Sequence, residues 1–298
     1  MWLELHLEAE AAGAPAVEAA LEAAGALAVT LQDAGEAPVL EPGPGEAPLW
    51  PLVRVTGLFP ADRDPAPVLE AVRRHLGHLP PHRWGRLPER DWVRAWMEGF
   101  RPLRCGRRLW VCPTWREPPP EAESVVRLDP GLAFGTGTHP TTFLCLAWLD
   151  EHPPEGLEVV DYGCGSGILA LAAARLGARR VLAVDHDPQA LEATAANARA
   201  NGLEGRILPL PPGELPASPC DLVLANILAG PLRALAPRLA GLLRPGARLV
   251  LSGMLEDQVE ALAETYRPWC RLAPPRLREG WALLEGRRLA LPPSGPQD

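Results

Sequence analysis

Asp161, Asp185, Asn226 and a cluster of glycines are the residues whose types and spacing point to chemistry in this chain. The run Val159-Val160-Asp161-Tyr162-Gly163-Cys164-Gly165-Ser166-Gly167-Ile168-Leu169 reads as an apolar strand, a carboxylate, a glycine turn and the start of an alanine- and leucine-rich helix. Glycines there let the backbone turn sharply and lie against a ligand, where a β-carbon would collide. Two cofactor families use such turns, and Gly165, Gly167 and Ala170 also fit the dinucleotide fingerprint G-x-G-x-x-A. Asp161 discriminates between them. A carboxylate beside the turn would repel a pyrophosphate seated on the helix N-terminus. It would attract the ammonium of S-adenosylmethionine, which also carries a sulfonium and has no phosphate. The turn is therefore read as an S-adenosylmethionine site.

Three further segments extend this reading. Val181-Leu182-Ala183-Val184-Asp185-His186-Asp187-Pro188 places Asp185 directly after an apolar strand, about twenty positions beyond the turn. A carboxylate there can accept hydrogen bonds from both ribose hydroxyls, while Asp187, before Pro188, suits a helix cap; the plainer alternative makes both of them caps. Asp221-Leu222-Val223-Leu224-Ala225-Asn226-Ile227-Leu228 ends a second apolar strand in an asparagine. Asn226 is either a turn residue or a group facing the methyl donor with one hydrogen-bond donor and one acceptor. Methyltransferases of planar amide or nucleobase nitrogens usually carry Asn-Pro-Pro-aromatic at this position, and Asn-Ile-Leu-Ala here weighs against those substrates. The stretch Asp129–Thr142 has more glycine than a helix cap needs, as a loop closing over a ligand would. His139 within it is a candidate for proton transfer, with a structural role as the alternative.

The elements that must position these groups follow from periodicity. Residues 2–8 alternate, with Leu3, Leu5 and Leu7 on one face and Glu4, His6 and Glu8 on the other, as a half-buried strand does. A helix through Val17, Leu21 and Ala24, strands at 27–31 and 52–59, a helix at 64–76 and a strand at 82–87 complete the β-α-β-β-α-β order of a ferredoxin-like α+β domain. Residues 88–120 read as a connector, with a short helix over Asp91–Met97 and a stiff Pro118-Pro119-Pro120. From residue 124 strands and helices alternate: strands at 157–161, 180–184, 206–209, 221–225, 247–252, a ragged one at 270–278, and 281–285. Helices fall at 140–151, 167–176, 188–200, 229–243 and 256–266. The expected architecture is α/β: a class I methyltransferase Rossmann-like seven-stranded sheet in 121–298, behind an N-terminal domain in 1–87. The tail 292–298 has no pattern of its own.

Composition sets limits. The 298 residues suffice for one large or two medium domains with buried cores. A net charge of −8 argues against a broad nucleic-acid footprint, which needs a basic face, and the 29 basic residues, all arginine, are scattered. Cys105, Cys112, Cys145, Cys164, Cys220 and Cys270 form no Cys-x-x-Cys pair and read as buried, reduced thiols rather than a disulfide framework or a metal site. Met1–Glu8 lacks the basic and long apolar segments of a signal peptide, and no window approaches a membrane span, so a cytoplasmic protein is expected.

The run Leu128–Thr142, with its Phe134-Gly135-Thr136-Gly137-Thr138-His139 core, resembles the ribosomal protein methyltransferases that modify large-subunit protein eleven. So do Asp161–Leu169, Val184–Gln189 and Ala225-Asn226-Ile227-Leu228-Ala229-Gly230-Pro231-Leu232, and the resemblance spans essentially the whole chain. It implies an N-terminal domain that recognises the ribosomal protein, a flexible connector, and trimethylation of lysine side chains and of the substrate's N-terminal amine. On matching positions Thr142, Gly163, Asp185 and Asn226 would contact the cofactor; with the closing loop and the turn, the expected set is Phe134, Gly135, Thr138, Thr142, Asp161, Gly163, Gly165, Asp185 and Asn226. Asn226 and His139 are the candidate catalytic residues, and no metal is expected. Tyr162, often phenylalanine in the family, and His186, usually isoleucine, are departures. The stretch 208–219 offers no clear acidic partner for the adenine amino group. The expected partner is that ribosomal protein, bound by a monomer without direct nucleic-acid or membrane contact. Alternatives are a class I methyltransferase acting on another protein or a small metabolite, a dinucleotide-dependent oxidoreductase, and a non-enzymatic cofactor sensor.

Overall fold

The computed structural model describes residues 1–35, 49–88, 100–129 and 137–290. The chain forms two compact units, Met1–Glu98 and Gly99–Asp298.

In the first unit, β1 (Trp2–Glu10), α1 (Ala14–Ala23), β2 (Ala28–Asp33), β3 (Leu52–Pro60), α2 (Pro65–Leu76) and β4 (His82–Leu87) follow in the expected order. The strands pair antiparallel as β2-β3-β1-β4, the ferredoxin-like arrangement. Alternation in β1 does what its pattern requires: Leu5 and Leu7 join Val53 and Val55 of β3 in a core with Val17 and Leu21 of α1 and Val68 and Val72 of α2. Helix α2 starts where Asp64 accepts the Ala66 N–H at 3.0 Å and Pro65 takes the first turn, and it stops at left-handed Gly77.

The second unit opens earlier than the sequence reading placed it. Residues from Gly99 onward belong to it, and part of the segment expected as connector forms β5 (Leu103–Arg104) and β6 (Leu109–Cys112). With β7 (Ser124–Arg127) these make a three-stranded sheet, and Leu109 and Val111 enter the core of this unit. The anchor is a distant carboxylate: Asp150 accepts backbone N–H groups from Arg107, Arg108 and Leu109 at 2.6, 3.1 and 2.9 Å. The helix expected at 91–97 and the tail 292–298 lie outside the described residues.

The main sheet contains β8 (Glu158–Tyr162), β9 (Arg180–Val184), β10 (Ile207–Leu210), β11 (Cys220–Asn226), β12 (Leu243–Leu255), β13 (Cys270–Leu272), β14 (Arg276–Arg278) and β15 (Trp281–Arg288). Their order is β10-β9-β8-β11-β12-β15-β13, with β14 also paired to β15. The five strands β8 to β12 are parallel and β15 is antiparallel to β12, which is the class I methyltransferase arrangement. Among the described residues the sheet has eight strands rather than seven because the ragged strand at 270–278 is two, each paired to β15 and separated by Pro274-Pro275, which lack ladder donors.

Helices α3 (Pro140–Glu151), α4 (Ile168–Arg175), α5 (Pro188–Ala200) and α8 (Val259–Tyr266) accompany these strands. The helix expected at 229–243 is instead α6 (Ala229–Ala234) and α7 (Ala236–Gly241). Pro237 has no N–H to continue the ladder, and by Leu243 the chain is already in β12. All six cysteines are free and buried. Among the described residues no helix is long and apolar enough to cross a membrane.

Candidate active site

Strand order reverses between β8, which leads on to β9, and β11, and in such sheets ligands bind at that point outside the carboxyl ends of the strands. A cavity of about 730 Å³ opens there, bringing together Asp161, Gly163, Gly165, Asp185, Asn226 and Thr142 from the expected set.

At the end of β8 the chain turns through Gly163, whose φ is +79° and whose N–H donates to the Val184 carbonyl at 2.7 Å. Asp161, 1% exposed, ties the turn to the helix behind it: its Oδ2 accepts the Ala170 N–H at 3.0 Å. Its Oδ1 is buried with no hydrogen-bond partner. Burial pushes this carboxyl up to about 7, the Ala170 hydrogen bond opposes the shift, and the charge of Asp185 adds to it. A buried, unsatisfied acceptor on a cavity wall is costly unless a donor arrives. The ammonium of S-adenosylmethionine is such a donor, so the residues present fit this cofactor.

Asp185 at the end of β9 has two structural bonds. Oδ2 accepts the Gly165 N–H and Oδ1 the Asp187 N–H, both at 3.0 Å. It therefore braces the glycine turn as well as facing the cavity, and each oxygen keeps a second lone pair for a ribose hydroxyl. Asp187 caps α5, accepting the Gln189 N–H at 2.9 Å.

Asn226 ends β11 and donates from Nδ2 to the Thr142 hydroxyl at 3.2 Å. Thr142 is fully buried in the first turn of α3, so this bond fixes which way the amide faces. His139 is the N-cap of α3: its Nδ1 accepts the Thr141 N–H at 3.3 Å and lies 2.7 Å from the Thr141 hydroxyl. Those bonds place a lone pair on Nδ1 and the imidazole proton on Nε2. Burial lowers its pKa, against the charge of Glu279, so the ring is neutral at pH 7. Its ring meets that of Trp281 edge-on at 4.7 Å.

Thr138 is exposed and is not part of the cavity wall. Phe134 and Gly135 lie outside the described residues. The wall also contains residues that sequence reasoning missed: Ile227, Leu228, Gly253 and Trp281, and Pro212 from the stretch left without an adenine contact. Ile227 and Leu228 follow Asn226 directly and were open to inference. Gly253 and Trp281 reach the wall only through the pairing of β12 with β15, which local sequence does not announce.

The sequence pattern of the family described as "Ribosomal protein L11 methyltransferase (PrmA)" matches residues 1–289. A ribosomal protein L11 methyltransferase of Cellvibrio japonicus (strain Ueda107) is 50% identical over 286 residues, 95% of this chain and 97% of that protein. One from Aeromonas salmonicida (strain A449) is 48% identical over 289 residues, 96% of this chain and 99% of its own length. Among solved structures, a ribosomal protein L11 methylase from Lactobacillus delbrueckii subsp. bulgaricus is 31% identical with a TM-score of 0.58, over 64% of this chain and 100% of that one.

Proposed function

The chain belongs to the ribosomal protein L11 methyltransferase family, and we propose that it transfers methyl groups from S-adenosylmethionine to ribosomal protein L11, trimethylating lysine side chains and the N-terminal amine. The observation that carries the site assignment is the convergence of Asp161, Asp185 and the Asn226–Thr142 pair on one cavity at the strand-order reversal. Asp161 Oδ1 would hold the cofactor's ammonium, Asp185 its ribose, and Gly163 and Gly165 would let the backbone lie against it. The bound cofactor supplies an electrophilic methyl group.

The acceptor must present a neutral amine, and deprotonating a free lysine costs about 4–5 kcal/mol at neutral pH. Desolvation in the cavity depresses the amine pKa and lowers that cost. Alignment can contribute up to about 7–11 kcal/mol, so positioning outweighs any single acid or base. With Nδ2 engaged by Thr142, Asn226 Oδ1 is the atom available to accept an amine N–H and aim its lone pair in the first two transfers; the neutral dimethylated amine has no N–H, so in the third the cavity walls alone align it. His139 commits Nδ1 to the Thr141 cap, which favours a structural role over proton transfer. Trp281 supplies an apolar side to the cavity next to it.

In this reading the first unit recognises the substrate, and the enzyme acts as a cytoplasmic monomer whose net charge of −8 suits a cationic protein rather than RNA. The test is the intact mass of purified L11 after incubation with enzyme and cofactor. Steps of one methyl group, ending at three per modified amine, are expected. An unchanged mass alongside measurable cofactor binding would reject L11 as substrate.

A further inference from the structure

We propose that Gly253 is a positioning residue for methyl transfer: it lets the main chain of Ile227 lie directly on β12 and so sets how far the preceding Asn226 reaches into the cavity. This rests on the reading of Asn226 given above. Gly253 lies on the cavity wall, where the pairing of β12 with β15 shifts register between Ser252 and Met254. Its φ is +94°, and a β-carbon there would stand 2.2 Å from the carbonyl oxygen of Ile227, 2.7 Å from its carbonyl carbon and 3.0 Å from its nitrogen. All three are main-chain atoms, so no rotamer change relieves the contact. The peptide itself would have to move.

Ile227 is gripped a second time, at its side chain. A β-carbon on Gly163 would stand 2.2 Å from Ile227 Cγ2. Glycines at the end of β8 and in β12 thus hold one residue, one by its side chain and the other by its backbone. Asn226 precedes that residue and pairs in register with Ser252, which precedes Gly253. Any displacement of Ile227 is therefore passed to the amide that Thr142 orients. A shift of about 1 Å in a positioning group can cost about 100-fold in rate. The positive φ alone does not account for Gly253. Gly246, on the same strand, has a φ of +81° and nothing within 4 Å of its β-carbon position. It is the matched control for backbone strain without collision.

Full-length Gly253→Ala, Gly246→Ala, Asn226→Ala, Ile227→Ala and Ile227→Gly, with Gly253→Ala also combined with Ile227→Ala, give the test by steady-state kinetics and cofactor calorimetry. Gly253→Ala is expected to lower kcat about 100-fold with the cofactor dissociation constant unchanged, while Gly246→Ala keeps the parent kcat. Removing Cγ2 through Ile227→Ala should not restore kcat to Gly253→Ala, because that collision is with the backbone. Equal kcat in Gly253→Ala and Gly246→Ala, or rescue of Gly253→Ala by Ile227→Ala, would overturn the proposal. Should Gly253→Ala unfold, Ile227→Gly measured against Ile227→Ala decides: freeing the main chain at 227 should lower kcat beyond the loss of the side chain at unchanged cofactor affinity, and equal kcat in the two refutes the proposal. If Asn226→Ala turns over normally, the reading of Asn226 fails whatever Gly253 does.

Discussion

Asp161 carries two loads that a single sequence position rarely reveals together. One oxygen holds the helix behind the glycine turn through the Ala170 N–H, and the other stands unsatisfied on the cavity wall. Sequence reasoning singled out the carboxylate, because an acid beside a glycine turn is a local signal. It could not find the burial that pushes its pKa from 3.8 to about 7, since that depends on packing from several elements. The linkage sign follows from that direction. The folded, cofactor-free protein keeps a proton that the unfolded chain loses above about pH 4, so this group makes stability fall as pH rises from about 4 to 7. A cationic ligand favours the carboxylate, so cofactor affinity should rise over the upper part of that window, by up to about tenfold per pH unit below 7. Calorimetry between pH 5.5 and 7 in buffers of different ionisation enthalpy checks this. Affinity that is flat with pH, with no proton released on binding, would remove Asp161 from the ammonium site. Asp161→Asn should flatten the dependence in both measurements.

At the scale of elements, what was legible was whatever is written in short repeats. The alternation of Leu3, Leu5 and Leu7 gave β1, the apolar runs before Asp161, Asp185 and Asn226 gave three of the parallel strands, and Asp187-Pro188 gave the start of α5. What escaped was held by distant partners. Strands β5 and β6 span two and four residues, too short for periodicity, and their turn is pinned by a carboxylate about 40 residues on. Asp150 is 4% exposed and accepts three consecutive backbone N–H groups, while Gly106 beside it leaves no room for a side chain: a β-carbon there would stand 2.3 Å from Asp150 Oδ2. Asp150→Ala strands three donors and should destabilise the second unit by roughly 2–4 kcal/mol. Asp150→Asn, which keeps one acceptor oxygen, should cost less. The midpoint of urea unfolding reads this directly, and a shift equivalent to under about 0.5 kcal/mol would show that the turn does not need its anchor.

Over the whole molecule, charge gives the remaining handle on how the acceptor is met. The protein carries 37 acidic residues against 29 basic ones, a net of −8, while the proposed acceptor groups are protonated lysines until they enter the cavity. A negative protein draws cationic segments toward it, and that attraction acts on encounter rather than on chemistry once the amine is bound. Salt should therefore separate the two. The Debye length falls from about 10 Å at 0.1 M ionic strength to about 3 Å at 1 M. Raising ionic strength across that range should lower kcat/KM for L11 several-fold through KM, while kcat stays constant, because the alignment proposed for Asn226 uses hydrogen bonds between neutral groups, which salt does not screen. The composition makes the measurement clean. Every basic residue of the chain is arginine, so no lysine side chain in it can take label from the cofactor. Should kcat fall with salt while KM stays fixed, steering by the whole-molecule field is wrong, and recognition must lie in short-range contacts alone.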